Sequence, residues 1–218
     1  MNIRKKALLI AMCIGDGYVN KEGLLSIQHG EKQVEYCVFK ANLLRSLTGK
    51  SCKVRRIEYK NKIIKGIKIK DSVGAGFTCK HKYFRVLRNW LYKSGEKRIT
   101  KKILSYLTLE ALAIWYMDDG SLYIDKRHDY SKFQGMIEIH THELLDNANE
   151  IRDFFKERFD IKCGLHKCYD NCGVRYNIRF YNKSVLKFLN LIGEYVPKCM
   201  EYKIKTPEKY VHERKACV

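Results

Sequence analysis

The sequence predicts an α+β protein built from two similar halves, each running α-β-α-β-β-α. An apolar helical pattern that ends in an acid and a glycine occurs twice, as "LIAMCIGDG" at residues 9–17 and "LAIWYMDDG" at residues 112–120. The acids Asp16 and Asp119 lie 103 positions apart, close to half of the 218 residues. The segments after each acid then alternate between helix and strand periodicity in the same order, which indicates an internal repeat.

The first half is assigned from its periodicity. Apolar residues at i, i+3 and i+4 predict helices, and a two-residue alternation predicts strands. After the first motif the predicted elements are the strand "LLSIQHG", the helix "KQVEYCVFKANLLRSLTG", the basic strand "CKVRRIEYK", the second strand "GIKIKDS" and the helix "HKYFRVLRNWLYKSG".

The second half repeats this order. The elements after the second motif are the strand "GMIEIHTH", the helix "LLDNANEIRDFFKERFD", the strands "KCGLHKCYD" and "VRYNIRFYN", and the helix "KSVLKFLNLIGEYV". In "VRYNIRFYN" the alternation predicts that the polar residues Arg175, Asn177, Arg179 and Tyr181 share one face of the sheet.

The repeat also predicts the domain boundaries. We place the first half at residues 1–95, a connector at 96–107, which contains "EKRITKKILSY", and the second half at 108–218. The chain has only two prolines and no Ser/Gly-rich linker, so we expect the halves to pack against each other.

The composition restricts the classes of function. There are 43 Lys+Arg against 24 Asp+Glu, a net charge of +19, which favours a polyanionic partner and argues against a glycosidase built on paired carboxylates. The apolar run at residues 7–14 is shorter than the roughly 20 residues that cross a bilayer, and no signal peptide is visible. Nine cysteines without an export signal predict reduced thiols in an intracellular protein.

The second motif places Asp118 and Asp119 at the C-terminal end of a helix. Negative charge is disfavoured there, because that end already carries the negative pole of the helix dipole. A structural reading is a helix stop, but Gly120 alone would serve as the stop. The two acids therefore favour a functional reading.

These segments resemble the two copies of the LAGLIDADG motif, and the chain resembles single-chain, two-motif homing endonucleases over nearly its full length. The second copy is the stronger, because "YLTLEALAIWYMDDGS" matches the family's lead-in, whereas the first keeps Gly15, Asp16 and Gly17 but has Met-Cys in mid-motif. "EKRIT" at residues 96–100 resembles the Lys-x-Ile-Pro segment of the family, with Thr100 in place of the proline, and "VPKCMEYK" at 196–203 resembles its C-terminal segment.

The resemblance implies a fold, a reaction and a set of site residues. The two motif helices would pack at a pseudo-twofold axis beneath a saddle of two antiparallel sheets that binds double-stranded DNA. Asp16 and Asp119 would bind Mg²⁺, with Mn²⁺ as a substitute, and Lys97 and Lys203 would assist phosphodiester hydrolysis. The backbone of Gly15 and, less strongly, that of Asp118 are further candidate ligands. Each Asp/Lys set would cut one strand of a long asymmetric target, leaving short 3′ overhangs, and the enzyme would act as a monomer in intron homing.

Basic and aromatic residues on the predicted strands are the candidate DNA-binding residues. A two-stranded ribbon fits the major groove, where such side chains read base edges, although an ordinary exposed sheet face is the structural alternative. The candidates are Gln28, Lys53, Arg55, Tyr59, Lys68, Lys70, His140, His142, Arg175, Asn177, Arg179 and Tyr181.

Several alternatives remain. The group Cys163, His166, Cys168 and Cys172 suggests zinc, but its spacing matches no common structural zinc pattern, so no zinc is expected and His166 receives no role. An RNA maturase that acts on its own intron, or a non-cleaving DNA-binding regulator, would need the sheets but not both acids. An intein is not expected, because the chain opens directly before the first motif and ends "RKACV".

Overall fold

The computed structural model describes residues 2–60, 71–93, 95–125, 133–170 and 172–208, and the backbone of 63–64 and 67–68. In chain order its helices and strands are α1 (Ile3–Ile14), β1 (Tyr18–Val19), β2 (Leu24–Gly30), α2 (Val34–Thr48), β3 (Arg55–Tyr59), β4 (Ile63–Ile64), β5 (Ile67–Lys68), β6 (Ser72–Lys80), α3 (Lys82–Leu91), β7 (Tyr92–Lys93), β8 (Glu96–Lys97), α4 (Lys101–Leu104), α5 (Leu109–Asp119), β9 (Gly120–Ile124), β10 (Gly135–Glu143), α6 (Leu145–Phe159), β11 (Cys163–Asp170), β12 (Gly173–Tyr181) and α7 (Lys183–Ile192). Short 3₁₀ turns lie at Glu31–Gln33, Gly193–Tyr195 and Lys198–Lys203.

The chain forms two compact units. One contains Met1–Gly15 with Leu91–Val218, and the other contains Asp16–Trp90. Each unit holds a four-stranded antiparallel sheet, in the order β1-β2-β6-β3 in the smaller unit and β11-β12-β10-β9 in the larger. The predicted α+β class with two antiparallel sheets is therefore confirmed, whereas the repeat boundaries at 95 and 108 stay a prediction.

The smaller unit corrects one predicted strand. Among the described residues of "GIKIKDS" (66–72), Ile67–Lys68 form β5 of a short hairpin and Ser72 begins β6, which is the long central strand. Two glycines, Gly74 and Gly76, interrupt the alternation of β6 and concealed it. A Cβ at Gly74 would lie 2.4 Å from the carbonyl oxygen of His29, so the pairing of β6 with β2 requires glycine there.

The larger unit buries an aromatic core between its sheet and its helices. Phe155 of α6 lies edge-on to Phe180 of β12, with ring centroids 4.9 Å apart, and Phe180 stacks on Phe188 of α7 at 5.0 Å. Trp115 and Tyr116 of α5 join this core, since both side chains are fully buried. The motif helix α5 is thus fixed from behind by the sheet of its own half.

The two motif helices α1 and α5 pack against each other within the larger unit, as predicted. Asn2 and Thr108 cap them by accepting hydrogen bonds from the backbone N–H groups of Lys5 and Ala111. Every residue of α1 from Ala7 to Ile14 is buried, which explains why its sequence is apolar on all sides. Within the part of the chain that the structure describes, no helix combines the length and the apolar character needed to span a bilayer.

Candidate functional site

The C-terminal end of α5 presents Asp119 in a half-buried setting. Trp115, one turn earlier, donates from Nε1 to Oδ2 of Asp119 over 3.1 Å, which orients the carboxylate. A Cβ at Gly120 would lie 2.0 Å from the ring of Tyr116, so only glycine fits directly after the acid. The motif sequence therefore sets both the direction of Asp119 and the sharp turn into β9.

Lys203 lies over the same helix end. Its Nζ donates to the carbonyl oxygens of Met117 at 2.5 Å and Gly120 at 3.0 Å, with the carbonyl of Asp118 at 3.5 Å. Tyr116 holds the lysine in place, because its hydroxyl donates to the carbonyl of Lys203 over 2.7 Å. A cation at the negative pole of the helix dipole offsets the acid that would otherwise be disfavoured there.

The C-terminal end of α1 carries a matching lysine. Nζ of Lys97 donates to the carbonyl of Gly15 at 2.7 Å, with the carbonyl of Ile14 at 3.4 Å. The predicted metal-binding carbonyl of Gly15 is thus a lysine acceptor in this structure. Gly15 also lies against Asp118, since a Cβ there would be 2.3 Å from Oδ2 of Asp118. The close approach of α1 to α5 therefore depends on glycine at position 15.

The segment that carries Lys97 is anchored to the second half of the chain. The backbone N–H of Ile99 donates to Oε1 of Glu143 over 2.6 Å, and Asn147 donates to the carbonyl of Ile99. Glu143 is 2% exposed, and its Oε2 has no hydrogen-bond partner among the described residues. Burial raises the pKa of this carboxyl to about 7, because the charged form loses its hydration.

One cavity of about 240 Å³ joins these groups within the larger unit. Its walls include Gly15, Lys97, Asp119, His140, His142 and Glu143. The imidazoles of His140 and His142 are stacked, with ring centroids 6.3 Å apart, at the point where the pairing of β10 with β12 is irregular. The lysine of one motif half and the acid of the other therefore line the same cavity, which the sequence did not indicate.

Asp16 belongs to the smaller unit and has a different environment. Its carboxylate is about one-third exposed, and Oδ2 lies 3.5 Å from Nδ1 of His29, which is buried in β2. Behind the imidazole, Nζ of Lys40 lies 3.4 Å from Nε2 of His29, and Lys40 is fully buried. Sequence reasoning missed both residues. The signal available was a lysine at an apolar position of the α2 pattern.

The polar face of the sheet in the larger unit is partly consumed by internal contacts. Arg175 and Asn177, predicted to be exposed DNA-binding residues, are only 6% and 3% exposed. Arg175 pairs with Asp170 of the neighbouring strand β11 and with Glu96 of β8, which belongs to a separate two-stranded sheet. The expectation of exposure was wrong for both, whereas Arg179 is half-buried and Tyr181 is exposed.

The sheet of the smaller unit presents a basic groove. Gln28, Lys53 and Arg55 line one cavity of about 410 Å³, and Tyr59 donates from its hydroxyl to Oε1 of Gln28 over 2.6 Å. Lys53 precedes β3 and is not a strand residue. The side chain of Lys68 and all of Lys70 lie outside the described residues.

The strand predicted in place of a zinc site is confirmed as β11. Cys163 approaches the carbonyl of Arg152, and Cys168 lies 4.0 Å from Nδ1 of His142. His166, which received no role from the sequence, has Nδ1 3.0 Å from Oε1 of Glu138.

Paired motif helices and two four-stranded antiparallel sheets define the class of two-motif LAGLIDADG folds. The model of the LAGLIDADG DNA endonuclease family matches residues 6–188, so the chain belongs to this family, and the resemblance read from the motifs is confirmed.

Two curated proteins are similar to parts of this chain. Protein RecA of Mycobacterium gastri is 29% identical over 123 residues, which cover 54% of this chain and 29% of that protein. The probable intron-encoded endonuclease 1 of Wickerhamomyces canadensis is 29% identical over 134 residues, which cover 58% of this chain and 53% of that protein. The match thus spans about half or less of the length of these relatives.

Solved structures share the fold at low sequence identity. The homing endonuclease I-WcaI bound to its DNA recognition sequence has a TM-score of 0.71 and 20% identity, covering 94% of this chain and 88% of that one. I-DmoI in complex with DNA and Ca has a TM-score of 0.52 and 13% identity, covering 98% and 99%.

Proposed function

We propose that this chain is a site-specific, double-strand DNA homing endonuclease that hydrolyses one phosphodiester bond in each strand of a long asymmetric target. The observation that carries the proposal is the repeated helix end. In a chain of the LAGLIDADG DNA endonuclease family, both motif helices end at an acid and a glycine, and both ends are capped by a lysine ammonium. A net charge of +19 and the basic groove of the smaller unit support double-stranded DNA as the partner.

The residues of the chain divide the work. Asp16 and Asp119 supply carboxylate oxygens for divalent cations, and hard cations such as Mg²⁺ prefer such ligands. Bound cations would supply charge neutralisation for the attacking and leaving oxygens of the phosphodiester. Lys97 and Lys203 place positive charge beside each acid, where it stabilises negative charge that develops on the phosphoryl oxygens. Trp115 holds the carboxylate of Asp119 in one orientation.

The donor set fits such a cation. Asp119 faces a cavity whose other walls include His140, His142 and Glu143, which offer imidazole nitrogen and carboxylate oxygen. Mg²⁺ is the ion that we propose, with Mn²⁺ as a substitute, and the similar structure of I-DmoI in complex with DNA and Ca supports a divalent cation. We infer that the protein acts as a monomer, because one chain carries both motifs. We also infer that it is located inside the cell.

The test is cleavage of a randomised duplex library in Mg²⁺, with sequencing of the cut ends. We expect a single long consensus with 3′ overhangs. Asp16→Asn and Asp119→Asn should each abolish double-strand cleavage and leave binding in Ca²⁺ largely intact. Asp146→Asn is the control, because it removes the same charge from an exposed position on α6, away from the ends of the motif helices.

Two outcomes would overturn the nuclease reading. Wild-type protein that binds a duplex in Mg²⁺ without cutting it would indicate a DNA-binding regulator. Selective binding of intron RNA without DNA cleavage would indicate a maturase. Double-strand cleavage at the normal rate by either Asn variant would remove the catalytic assignment of that acid.

A further inference from the structure

Side chains from three strands of the larger unit, β10, β11 and β12, meet at one buried carboxylate, Glu138. Its Oε1 accepts a hydrogen bond from Nδ2 of Asn177 at 2.7 Å, and Nδ1 of His166 lies 3.0 Å from the same oxygen. Its Oε2 accepts from Nε of Arg179 at 2.6 Å. Nδ1 of His140 lies 3.8 Å from Oε1. The side chain of Glu138 is 7% exposed, so protein groups replace nearly all of its hydration.

The register of the sheet explains why these side chains meet. Arg179 of β12 is paired with Glu138 of β10, and Glu138 is paired with Ser121 of β9. His166 of β11 is paired with Asn177, two residues before Arg179 on the same face. Side chains on paired positions of one face are separated by about 5 Å, within hydrogen-bond reach for long polar groups. The cluster is therefore built by the fold and is not a chance contact of surface side chains.

A permanent negative charge in this place needs an explanation. Asn177, His166 and Arg179 hold the pKa of Glu138 down to about 2 against the opposing effect of its burial, so the carboxylate is ionised at neutral pH. A purely structural ion pair would explain its contact with Arg179. It would not explain why a chain with a charge of +19 keeps an anion on the polar sheet face, where it repels phosphate.

The geometry at Arg179 suggests an answer. Glu138 engages Nε, whereas a bidentate contact to O6 and N7 of guanine uses the two terminal nitrogens of a guanidinium. Tyr181 is the next residue on the same face of β12. Glu138 thus holds the guanidinium from its Nε side and balances its charge locally. Because the charge of this guanidinium is already paired, a phosphate contact contributes less binding free energy. Because its orientation is fixed, a bidentate contact to a matching base edge contributes more.

We propose that Glu138 is a specificity-determining residue, which orients Arg179 to read guanine at one base pair in the major groove of the DNA target. The inference rests on the proposed function, because it requires that the chain binds duplex DNA. Glu138 itself does not contact the base. It acts as a positioning residue, and its carboxylate converts Arg179 from a general phosphate ligand into a base-specific one.

The experiment compares binding specificities in Ca²⁺. Wild type, Glu138→Gln and Arg179→Lys are each selected against a randomised duplex DNA library, and affinities are then measured on the four single-base variants at each position of the consensus. Glu58→Gln is the matched control, because it also removes one strand carboxylate, but from β3, where Glu58 is exposed and pairs with Arg56 and Lys60.

The expected result is local. Glu138→Gln should lower the preference for guanine at one base pair by about 5- to 100-fold, the range of a bidentate arginine contact, and leave the other positions within about twofold. Binding to unrelated duplex should strengthen by about twofold or more, since one repelling charge is lost. Arg179→Lys should lose the preference at the same base pair, and Glu58→Gln should lose none.

Three results would overturn the inference, and each differs from a failure of the proposed function. A specificity profile of Glu138→Gln identical to wild type would contradict it. A loss spread evenly over all positions, accompanied by a lower melting temperature, would assign Glu138 a structural role only. Loss of preference at different base pairs in Glu138→Gln and Arg179→Lys would also contradict it. If Glu138→Gln does not fold, an unchanged preference for guanine in Arg179→Lys would by itself contradict the inference. Wild type that selects no DNA sequence would instead refute the proposed function.

Discussion

The ends of the two motif helices are alike in their charges but differ in the side chains that hold these charges in place. In both, a lysine ammonium covers the terminal carbonyl groups beside the acid. The segment of Lys203 is held by the phenol of Tyr116, whose pKa burial raises far above neutrality. The segment of Lys97 is held by the carboxyl of Glu143, whose pKa of about 7 lies within the working range of a cell.

This difference separates what the reaction requires from what the fold can vary. The acid, the glycine and the lysine recur at both ends, because the charge pattern must be the same at each. The groups behind them do not recur, since any acceptor or donor of suitable length can fix a backbone segment. A repeat of function therefore does not need a repeat of packing.

Removal of the lysines should give the largest effect. Lys97→Met and Lys203→Met should each slow the cutting of one strand by about 10²- to 10³-fold, the cost of losing one electrostatic group at a reacting oxygen. Supercoiled plasmid carrying the target would then accumulate as nicked circles. Lys32→Met is the control. Because Lys32 is exposed, this variant should cut at the wild-type rate. If either variant slowed the cutting of both strands equally, the assignment of one lysine to each strand would be wrong.

Glu143→Gln should change stability with pH. The pKa of Glu143 is raised from 4.5 to about 7, so its contribution to folding is fully present below pH 4.5 and is lost as the pH rises through 7. The gap corresponds to about 3 kcal/mol. Glutamine keeps the acceptor for Ile99 without the charge, so the variant should be more stable than wild type at pH 9 by up to this amount.

Urea denaturation at pH 5 and pH 9 measures this difference. At pH 5 the stabilisation should fall to about 1 kcal/mol or less beyond the effect of the substitution itself, because most of the carboxyl is still protonated in the folded state. Glu58→Gln, at an exposed site, should show no such pH dependence. A gain of equal size at both pH values would contradict the assignment of a buried, titrating carboxyl.

Tyr116→Phe should have a smaller effect that does not depend on pH between 5 and 9. The variant leaves the carbonyl of Lys203 without its donor, which costs about 1–3 kcal/mol for a buried acceptor. The same denaturation series measures it. If the effect of Tyr116→Phe on stability changed with pH as steeply as that of Glu143→Gln, the side chains that hold the two lysine segments would not differ in their titration.

Lys40→Met should have the smallest effect. Replacement of a buried charge by an apolar chain of similar length is often neutral for stability, so the melting temperature should change little. Because Lys40 supports His29 behind Asp16, we expect about tenfold slower cutting of one strand only. Single-turnover cleavage with strand-specific labels measures this ratio. A loss shared by both strands would show that the pair does not act through Asp16.

The sequence predicted those features that repeat. The motif helices and most of the strands follow from periodicity, whereas the roles of the two acids and the two lysines were implied by the resemblance to the family. The strand β6 was missed, because Gly74 and Gly76 carry no side chain to alternate, although close strand approach is the reason for glycine there. Periodicity therefore predicts best the elements whose packing is made by side chains.

The environment of single polar residues could not be predicted. Alternation correctly placed Asn177 and Arg179 on one face, but it did not predict that Glu138 binds both of them. That contact depends on strand register, and a register is a relation between distant segments. The same holds for His29 and Lys40, which lie 11 positions apart and meet only when α2 packs on β2.

The larger unit is discontinuous, because Asp16–Trp90 is inserted between α1 and the rest of it. During synthesis α1 leaves the ribosome roughly a hundred residues before α5, its packing partner, and eight of its side chains have nothing to cover them in that interval. The inserted unit has its own sheet and can form first, whereas α1 waits for a contact of long sequence separation. Until α5 has been synthesised, the apolar helix α1 is thus a segment that chaperones or other unfolded chains can bind.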